Sequence, residues 1–421
     1  MSIDSIMRIL MITELFPPLV DAESIVAGKF AKALVEEGID LHVVAGDFSQ
    51  SGRLIDDSHI WQSQMGSVIK LRTYFGKIHN PKDFLGKFML RNEATNYWAY
   101  SALRKCRHLL KKYNYDLIIS RTWTVNAMIV AYHLQEYKRM PWVIIMDDPY
   151  PESVVPTYKS NYSRIYNIRQ KLRRNFIRNS LQSCLLAIFP SSRLQNHIER
   201  SLELNLAEKS LVLPHIGWYY RPGQTYIEDS YYLDIVHCGR FNPPRASNIL
   251  LEAFRNIFEK HHELSKRTRI IHVGYPITPD VKENINRFNL KENITFEGPV
   301  GYEESLTRMS CAQALLLSEA ILEEGIFLPS KFTDYIYSGK PLLMFSPENG
   351  AVADMVDSYN HPGFLGQSPQ TVYERLERFM LAWEKKDDLS RYCFPDPEIS
   401  SPEVIARKFM ESIGDKLKDF S

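Results

Sequence analysis

Short apolar runs alternate with amphipathic stretches along the whole chain. Arg8 to Thr13 (RILMIT) is an apolar run closed by Phe16-Pro17-Pro18, which predicts a buried strand. Residues 22–37 carry Ile25, Phe30, Leu34 and Val35 on one helical stripe, with Gly38 as the stop. Leu41 to Ala45 (LHVVA) predicts the next strand, and strand–helix–strand at this spacing implies a parallel pair with a right-handed crossover. Asp116 to Ser120, Trp142 to Met146 and Leu185 to Phe189 continue the pattern. The second half starts again in the same way. Tyr232 to His237 predicts a strand, Gly239-Arg240-Phe241 a turn, and 246–261 an amphipathic helix. Arg269 to Val273, Ile294 to Glu297, Ala314 to Leu317 and Pro341 to Phe345 predict further strands. The fold expected is α/β, with two Rossmann-like, doubly wound parallel-sheet domains facing a cleft. Their spans are 1–225 and 226–400, divided in the polar stretch RPGQTYIEDS, with 401–421 a C-terminal helix crossing back to the first domain.

Composition narrows the class without naming the chemistry. The 421 residues are 44% hydrophobic and 24% charged, enough apolar material to exclude chain-wide disorder. No window approaches ~18 uninterrupted apolar residues, so no membrane-spanning helix is expected. The opening MSIDSIMRILMITELFPP lacks the basic segment and cleavage site of a signal peptide. The 5 cysteines are scattered and form no CxxC, which argues for a reducing compartment and against a cysteine zinc site. Charge is divided unevenly. Residues 1–225 hold 29 Lys+Arg against 20 Asp+Glu, a balance of +9; the remaining 22 and 30 give −8, and the two sum to the chain's +1. Such asymmetry points the first half toward an anionic partner.

Several segments in fixed order carry a resemblance. They are ILMITELFPP with EEGIDLHVVAG; AIFPSSRLQNHI with LVLPHIGWYY; HCGRFNPPRASNILLEAF; ITFEGPVGYEES; and LPSKFTDYIYSGKPLLMF. Over nearly its whole length the chain resembles the GT-B fold glycosyltransferases of the family 4 type (glycosyl transferases group 1). The last block is the most specific of the set. The resemblance implies a nucleotide-sugar donor in the C-terminal domain and a glycan or lipid-linked acceptor in the N-terminal domain. It also implies retention of anomeric configuration, no metal and no cofactor beyond the nucleotide-sugar co-substrate. No D-x-D triplet occurs, so the metal motif of the other large glycosyltransferase fold is missing.

Residue by residue, Arg240 and Arg245 follow a strand at the start of a helix, where guanidiniums and helix amides neutralise a leaving diphosphate. The family usually has Lys where Arg245 stands. By the resemblance, Lys331 joins Arg240 and Arg245 in stabilising the leaving diphosphate, and Asp334, one helical turn on, matches the second carboxylate of the family's glutamate pair and would accept from ribose hydroxyls. A local ion pair between the two is the simpler alternative. The first carboxylate is displaced; Glu319, Glu323 and Glu324 are candidates, with Glu324 before Gly325 preferred. On the acceptor side, Asp21, Glu23 and Ser24 replace the family's Gly-Gly loop, and Ser24 is equally a helix cap. Asp147 and Asp148 stand where the family often has a catalytic His, so Asp148 is the candidate base, with a strand-end turn as the alternative.

Two basic sets remain. Residues 153–198 hold 8 Lys or Arg and no Asp or Glu, and Arg164 to Arg178 alternate with apolar positions as a cationic amphipathic helix would. Lys70, Arg72, Lys77, Lys82, Lys87 and Arg91 sit among Tyr74, Phe75, Phe84 and Phe88. Both suit peripheral contact with an anionic membrane surface, and hence a cytoplasmic protein at the inner face of the cell membrane, in cell-surface polysaccharide or glycolipid synthesis. A solvated helix face is the alternative. Nucleic acid is the weaker partner, since no nucleic-acid motif is present. Three other functions stay open: a non-enzymatic relative serving as a binding subunit, a glycosyltransferase acting on nucleic acid, and a different enzyme on the same scaffold, such as a sugar-nucleotide epimerase.

Overall fold

The computed structural model describes residues 6–56, 58–61, 65–73, 96–122, 125–149, 164–217 and 231–420. The chain forms two compact units, Met1–Pro214 together with Pro402–Ser421, and His215–Ser401. The stretch 218–230, which contains the expected 225/226 division, lies outside the described residues. Ile216 and Gly217 already belong to the second unit: the Gly217 N–H donates to Ser400 O (2.8 Å) and Thr333 Oγ1 donates to Ile216 O (3.3 Å).

The first unit runs β1 (Arg8–Ile12), α1 (Ala22–Glu36), β2 (Asp40–Asp47), β3 (Ser67–Arg72), α2 (Tyr97–Lys112), β4 (Leu117–Thr122), α3 (Val125–Lys138), β5 (Trp142–Met146), α4 (Arg164–Ser183), β6 (Leu186–Phe189), α5 (Ser192–Leu202) and β7 (Ser210–Val212). Among the described residues its sheet has the order β3-β2-β1-β4-β5-β6-β7, and each of these neighbours pairs in parallel. A parallel sheet with helices on both faces buries each central strand on both sides. That is why β1 reads as an unbroken apolar run, with Ile9 to Ile12 at 0% exposure.

The second unit runs β8 (Leu233–Gly239), α6 (Asn248–Lys260), α7 (His262–Arg267), β9 (Thr268–Gly274), α8 (Pro279–Arg287), β10 (Ile294–Gly298), α9 (Tyr302–Cys311), β11 (Ala314–Ser318), α10 (Ser330–Tyr337), β12 (Leu342–Phe345), α11 (Ala351–Asp357) and α12 (Pro369–Glu384). Its parallel sheet has the order β10-β9-β8-β11-β12. Leu233 and Ile235 of β8, Phe254 and Ile257 of α6 and Phe379 and Met380 of α12 belong to one buried core.

The last helix, α13 (Pro402–Phe420), belongs to the first unit and packs on α1. Phe409 is wholly buried and meets Phe30 edge to face, with centroids 5.2 Å apart. Burial of one such ring contributes about 1.5–3 kcal/mol, and the aromatic geometry adds roughly 0.5–1.5 kcal/mol. Among the described residues no helix is long and apolar enough to cross a membrane.

Candidate active site

In each sheet the strand order reverses at one point, between β1 and β4 in the first unit and between β8 and β11 in the second. Ligands of open parallel sheets bind outside the carboxyl ends of the strands at such a point. Most of the site residues expected from sequence fall near one of these two places.

In the second unit, β8 ends at Gly239, and Arg240 to Arg245 form the turn into α6. Ser247 caps that helix, its side chain accepting from the Ile249 N–H. The turn is held by Asn242. Its Nδ2 donates to Pro276 O (3.0 Å) and its Oδ1 accepts from the Thr278 N–H (2.7 Å). The ends of β8 and β9 nearly touch. A Cβ on Gly274 would stand 1.9 Å from Gly239 O, and Gly274 has φ +156°. Only glycine fits at 274, because the Gly239 carbonyl fills the space; at Gly239 (φ +127°) a Cβ would meet nothing within 4 Å, so that strand end is open. Arg240 is exposed and stacks over the Tyr275 ring at 4.8 Å; Arg245 is exposed as well.

The cation on α10 is brought in by buried anchors. Tyr335 Oη accepts from the Cys238 N–H of β8 (2.9 Å), and Tyr302 Oη donates to Asp334 Oδ1 (2.8 Å). Both tyrosines and Asp334 are almost wholly buried. This fixes α10 against β8 and leaves Lys331 half-buried, 5.5 Å over the Tyr302 ring. Arg245 and Lys331 converge from separate elements. Buried His237 is held well below the usual imidazole range by desolvation first, then by His272, Arg245 and Lys331. Asp334 lies inside the unit, so the surface ion pair weighed as its simpler reading does not describe its position. Glu324 is half-buried on a segment tied to the turn after β12, where the Gly325 N–H donates to Asn349 O (2.8 Å). Glu319 closes β11, and burial pushes its carboxyl up to about 7 against the opposing pull of Ser346 and Arg245.

In the first unit, Asp21 rather than Ser24 caps α1. Asp21 is extended (φ −152°, ψ 147°), its Oδ1 accepts from the Glu23 N–H, and its Oδ2 pairs with Arg53 at 2.7 Å. Ser24 is the third helical residue and is wholly buried, so its hydroxyl lies past the capping position. Glu23, Asp147 and Asp148 gather at one place. Burial raises the Glu23 carboxyl well above its usual range, and Asp147 and Asp148 push it further, against the opposing charge of Arg121. Asp147 pairs with Arg121 of β4 at 2.9 Å, both side chains at most 5% exposed. Asp148, next along, is half-buried.

The expectation missed Arg121 and Glu14. Glu14 follows β1 and accepts from Asn126 Nδ2 (2.8 Å) and Asn96 Nδ2 (2.7 Å). The signal was present in the sequence, because each is a charged residue at the carboxyl end of an apolar strand. Of the basic sets, Lys77, Lys82, Lys87 and Arg91, with Tyr74, Phe75, Phe84 and Phe88, lie outside the described residues. Arg164 to Arg178 lie on α4, where Lys171 is exposed and Leu172 is 56% exposed. Among the described residues no group of three His, Cys, Asp or Glu side chains could hold a metal ion.

No family model matches the chain, and no curated protein matches it. Solved structures do. The chain is similar to sucrose-phosphate synthase from Thermosynechococcus elongatus (TM-score 0.67, 16% identity, 99% of this chain and 100% of that one covered). It is similar to Anabaena HepE in complex with UDP (TM-score 0.63, 14% identity, 97% and 100% covered). It is also similar to WaaG, a glycosyltransferase involved in lipopolysaccharide biosynthesis (TM-score 0.61, 15% identity, 95% and 99% covered). At these identities the likeness carries the fold: two Rossmann-like parallel-sheet units, as in GT-B glycosyltransferases.

Proposed function

We propose that the protein is a glycosyltransferase that moves a sugar from a nucleotide-sugar to a hydroxyl of a glycan or lipid-linked acceptor. The observation that carries this reading is the cationic group at the switch point of the second sheet. Arg245 and Lys331 reach one buried histidine from two elements, and Arg240 stands on the same turn as Arg245, next to Gly239, whose Cβ side is open. A departing diphosphate gains charge in the transition state, and preorganised guanidinium and ammonium groups stabilise it. No resident metal is required in this reading. The diphosphate could itself help deprotonate the acceptor, consistent with a retaining course. Glu324 takes the sugar contacts, while Asp334, expected to accept from ribose, is buried with its Oδ1 on Tyr302 and anchors the helix that carries Lys331.

In the first unit, Asp148 is the candidate base, with Asp147 orienting the acceptor beside Asp21 and Glu23; Ser24, wholly buried in α1, is out of an acceptor's reach. A group of carboxyls suits recognition of hydroxyls, which donate to them. The HepE structure contains UDP and WaaG serves lipopolysaccharide synthesis, which favours a nucleotide-sugar donor and a cell-surface glycan product here. The cationic helix α4, with exposed Lys171 and Leu172, favours peripheral docking of a cytoplasmic enzyme on an anionic membrane.

Thermal-shift measurements with UDP, GDP, ADP and CDP, with and without magnesium, test the donor site. A ligand at 100 times its Kd stabilises by about 2.7 kcal/mol. A magnesium-independent shift with one base is expected. No shift with any of the four would overturn the donor assignment in favour of a non-enzymatic relative.

A further inference from the structure

We propose that Gln367 and Asn349 are positioning residues of the donor site: their side-chain amides set the shape of residues 319–325, the segment after β11 that carries Glu324 to the donor sugar. The inference rests on the donor-site reading above and adds the two residues that shape its sugar side.

Residues 319–325 run from the end of β11 toward α10 and form no helix or strand of their own. Backbone without regular pairing takes its shape from whatever its polar groups meet. The start of the segment is fixed. Ser318 Oγ donates to Arg245 O (2.7 Å) and the Glu319 N–H donates to Phe345 O (2.9 Å). The first of these bonds ties the segment to the turn that carries Arg240 and Arg245. The far end is fixed as well, where the Gly325 N–H donates to Asn349 O (2.8 Å) and Gly325 O accepts from the Ala351 N–H (2.7 Å). Between the two ends, side chains hold the backbone. Gln367 Nε2 donates to Ala320 O (2.8 Å), and Asn349 Nδ2 donates to Glu323 O (3.2 Å), one residue before Glu324.

Gln367 reaches Ala320 from a firm base, 47 positions along the chain, and is 8% exposed. Glu348 Oε1 accepts from the Gln367 N–H (2.8 Å) and from the Ser368 N–H (3.2 Å). Gly366 makes room for that carboxylate: it has φ +69°, and a Cβ there would stand 2.6 Å from Glu348 Oε1. Glu348 and Asn349 are neighbours, so one turn after β12 holds both the base of Gln367 and the Glu323 carbonyl. A binding carboxylate has to be held to within about 0.5 Å of its working place. The cations of the site are anchored by other contacts, Asn242 on the β8–α6 turn and Tyr335 and Tyr302 at α10. Loosening 319–325 therefore acts on the sugar and spares the diphosphate.

Titration calorimetry separates the two. The probes are UDP, GDP, ADP and CDP, and UDP-glucose, UDP-N-acetylglucosamine, GDP-mannose, ADP-glucose and CDP-glucose. Gln367→Met keeps the length of the side chain and removes the donor to Ala320 O; Asn349→Ala removes the donor to Glu323 O. Each variant should bind the sugar conjugate about tenfold more weakly than wild type, the loss of one hydrogen bond at the upper end of its range. Each should bind the free nucleotide within about twofold of wild type, which also reports that the second unit is folded. Unchanged affinity for the conjugate, or equal weakening of nucleotide and conjugate, would overturn the role of the residue changed. Glu324→Ala tests the premise: wild-type affinity for the conjugate in that variant, or a wild type that binds a nucleotide and none of its conjugates, would overturn the sugar contact and the inference with it. Absence of binding by all four nucleotides would overturn the donor-site reading itself.

Discussion

Removing the guanidinium that faces Asp147 should unravel the centre of the first sheet. Arg121 and Asp147 meet at 2.9 Å on adjacent strand ends, with side chains 5% and 3% exposed. At an effective dielectric near 20, their attraction is about 6 kcal/mol before desolvation is charged against it. Arg121→Met fills the space with apolar atoms but leaves Asp147 charged and buried. Breaking one side of such a pair costs about 3–5 kcal/mol. The double variant Arg121→Met/Asp147→Leu removes both charges and should return to within about 1 kcal/mol of the wild type. The two units unfold separately in principle, so a single melting temperature would mix them. Hydrogen exchange of the β4 and β5 amides, read by mass spectrometry, isolates the first unit. Those amides should exchange about 10²- to 4 × 10³-fold faster in Arg121→Met and near wild-type rates in the double variant. Unchanged exchange in Arg121→Met, or a double variant worse than either single one, would refute the argument that the pair is held together by mutual burial.

Three more outcomes are expected. Arg240→Ala should lower sugar transfer by at least ~10²-fold with an unchanged melting curve, because the side chain is exposed and its contact is a stack on Tyr275; wild-type turnover would sink its diphosphate role. Gly274→Ala should abolish nucleoside-diphosphate binding in titration calorimetry and destabilise the second unit, because its Cβ would press into Gly239 O. Burial pushes the Glu377 carboxyl up, but hydrogen bonds from His261, Lys260 and Tyr373 outweigh it and hold the group at about 2. A depressed folded value means its stabilisation is present above about 4.5 and disappears as pH falls toward 2. Acid unfolding of Glu377→Gln, followed by circular dichroism, should therefore show a shallower loss of stability between those limits than the wild type.

The alternation of apolar runs and amphipathic stretches was enough to read most of the central strands and the doubly wound class. A strand buried on both faces has to be apolar at every position, and a covering helix has to repeat its apolar residues every three or four. Weakly patterned elements escaped. β3 (SVIKLR) lies at the sheet edge with exposed positions, and β7 (SLV) is too short to show a period. Arg240, Arg245 and Lys331 could be named from sequence because each stands at a strand end or helix start, where a parallel sheet presents its ligand-facing residues. That Arg245 and Lys331 both face buried His237 could not. It depends on Tyr335 holding α10 to β8 across 97 positions of chain and on Tyr302 holding Asp334 across 32. The same holds for Arg121 with Asp147, 26 positions apart, and for Glu319 beside the turn that carries Arg245. Local sequence determines which segments extend, coil and turn, because those preferences are set within a few residues. Which charges meet, which are buried, and which carboxyl is pushed toward neutrality is decided by packing between distant strand ends, and a linear pattern contains no distance between them.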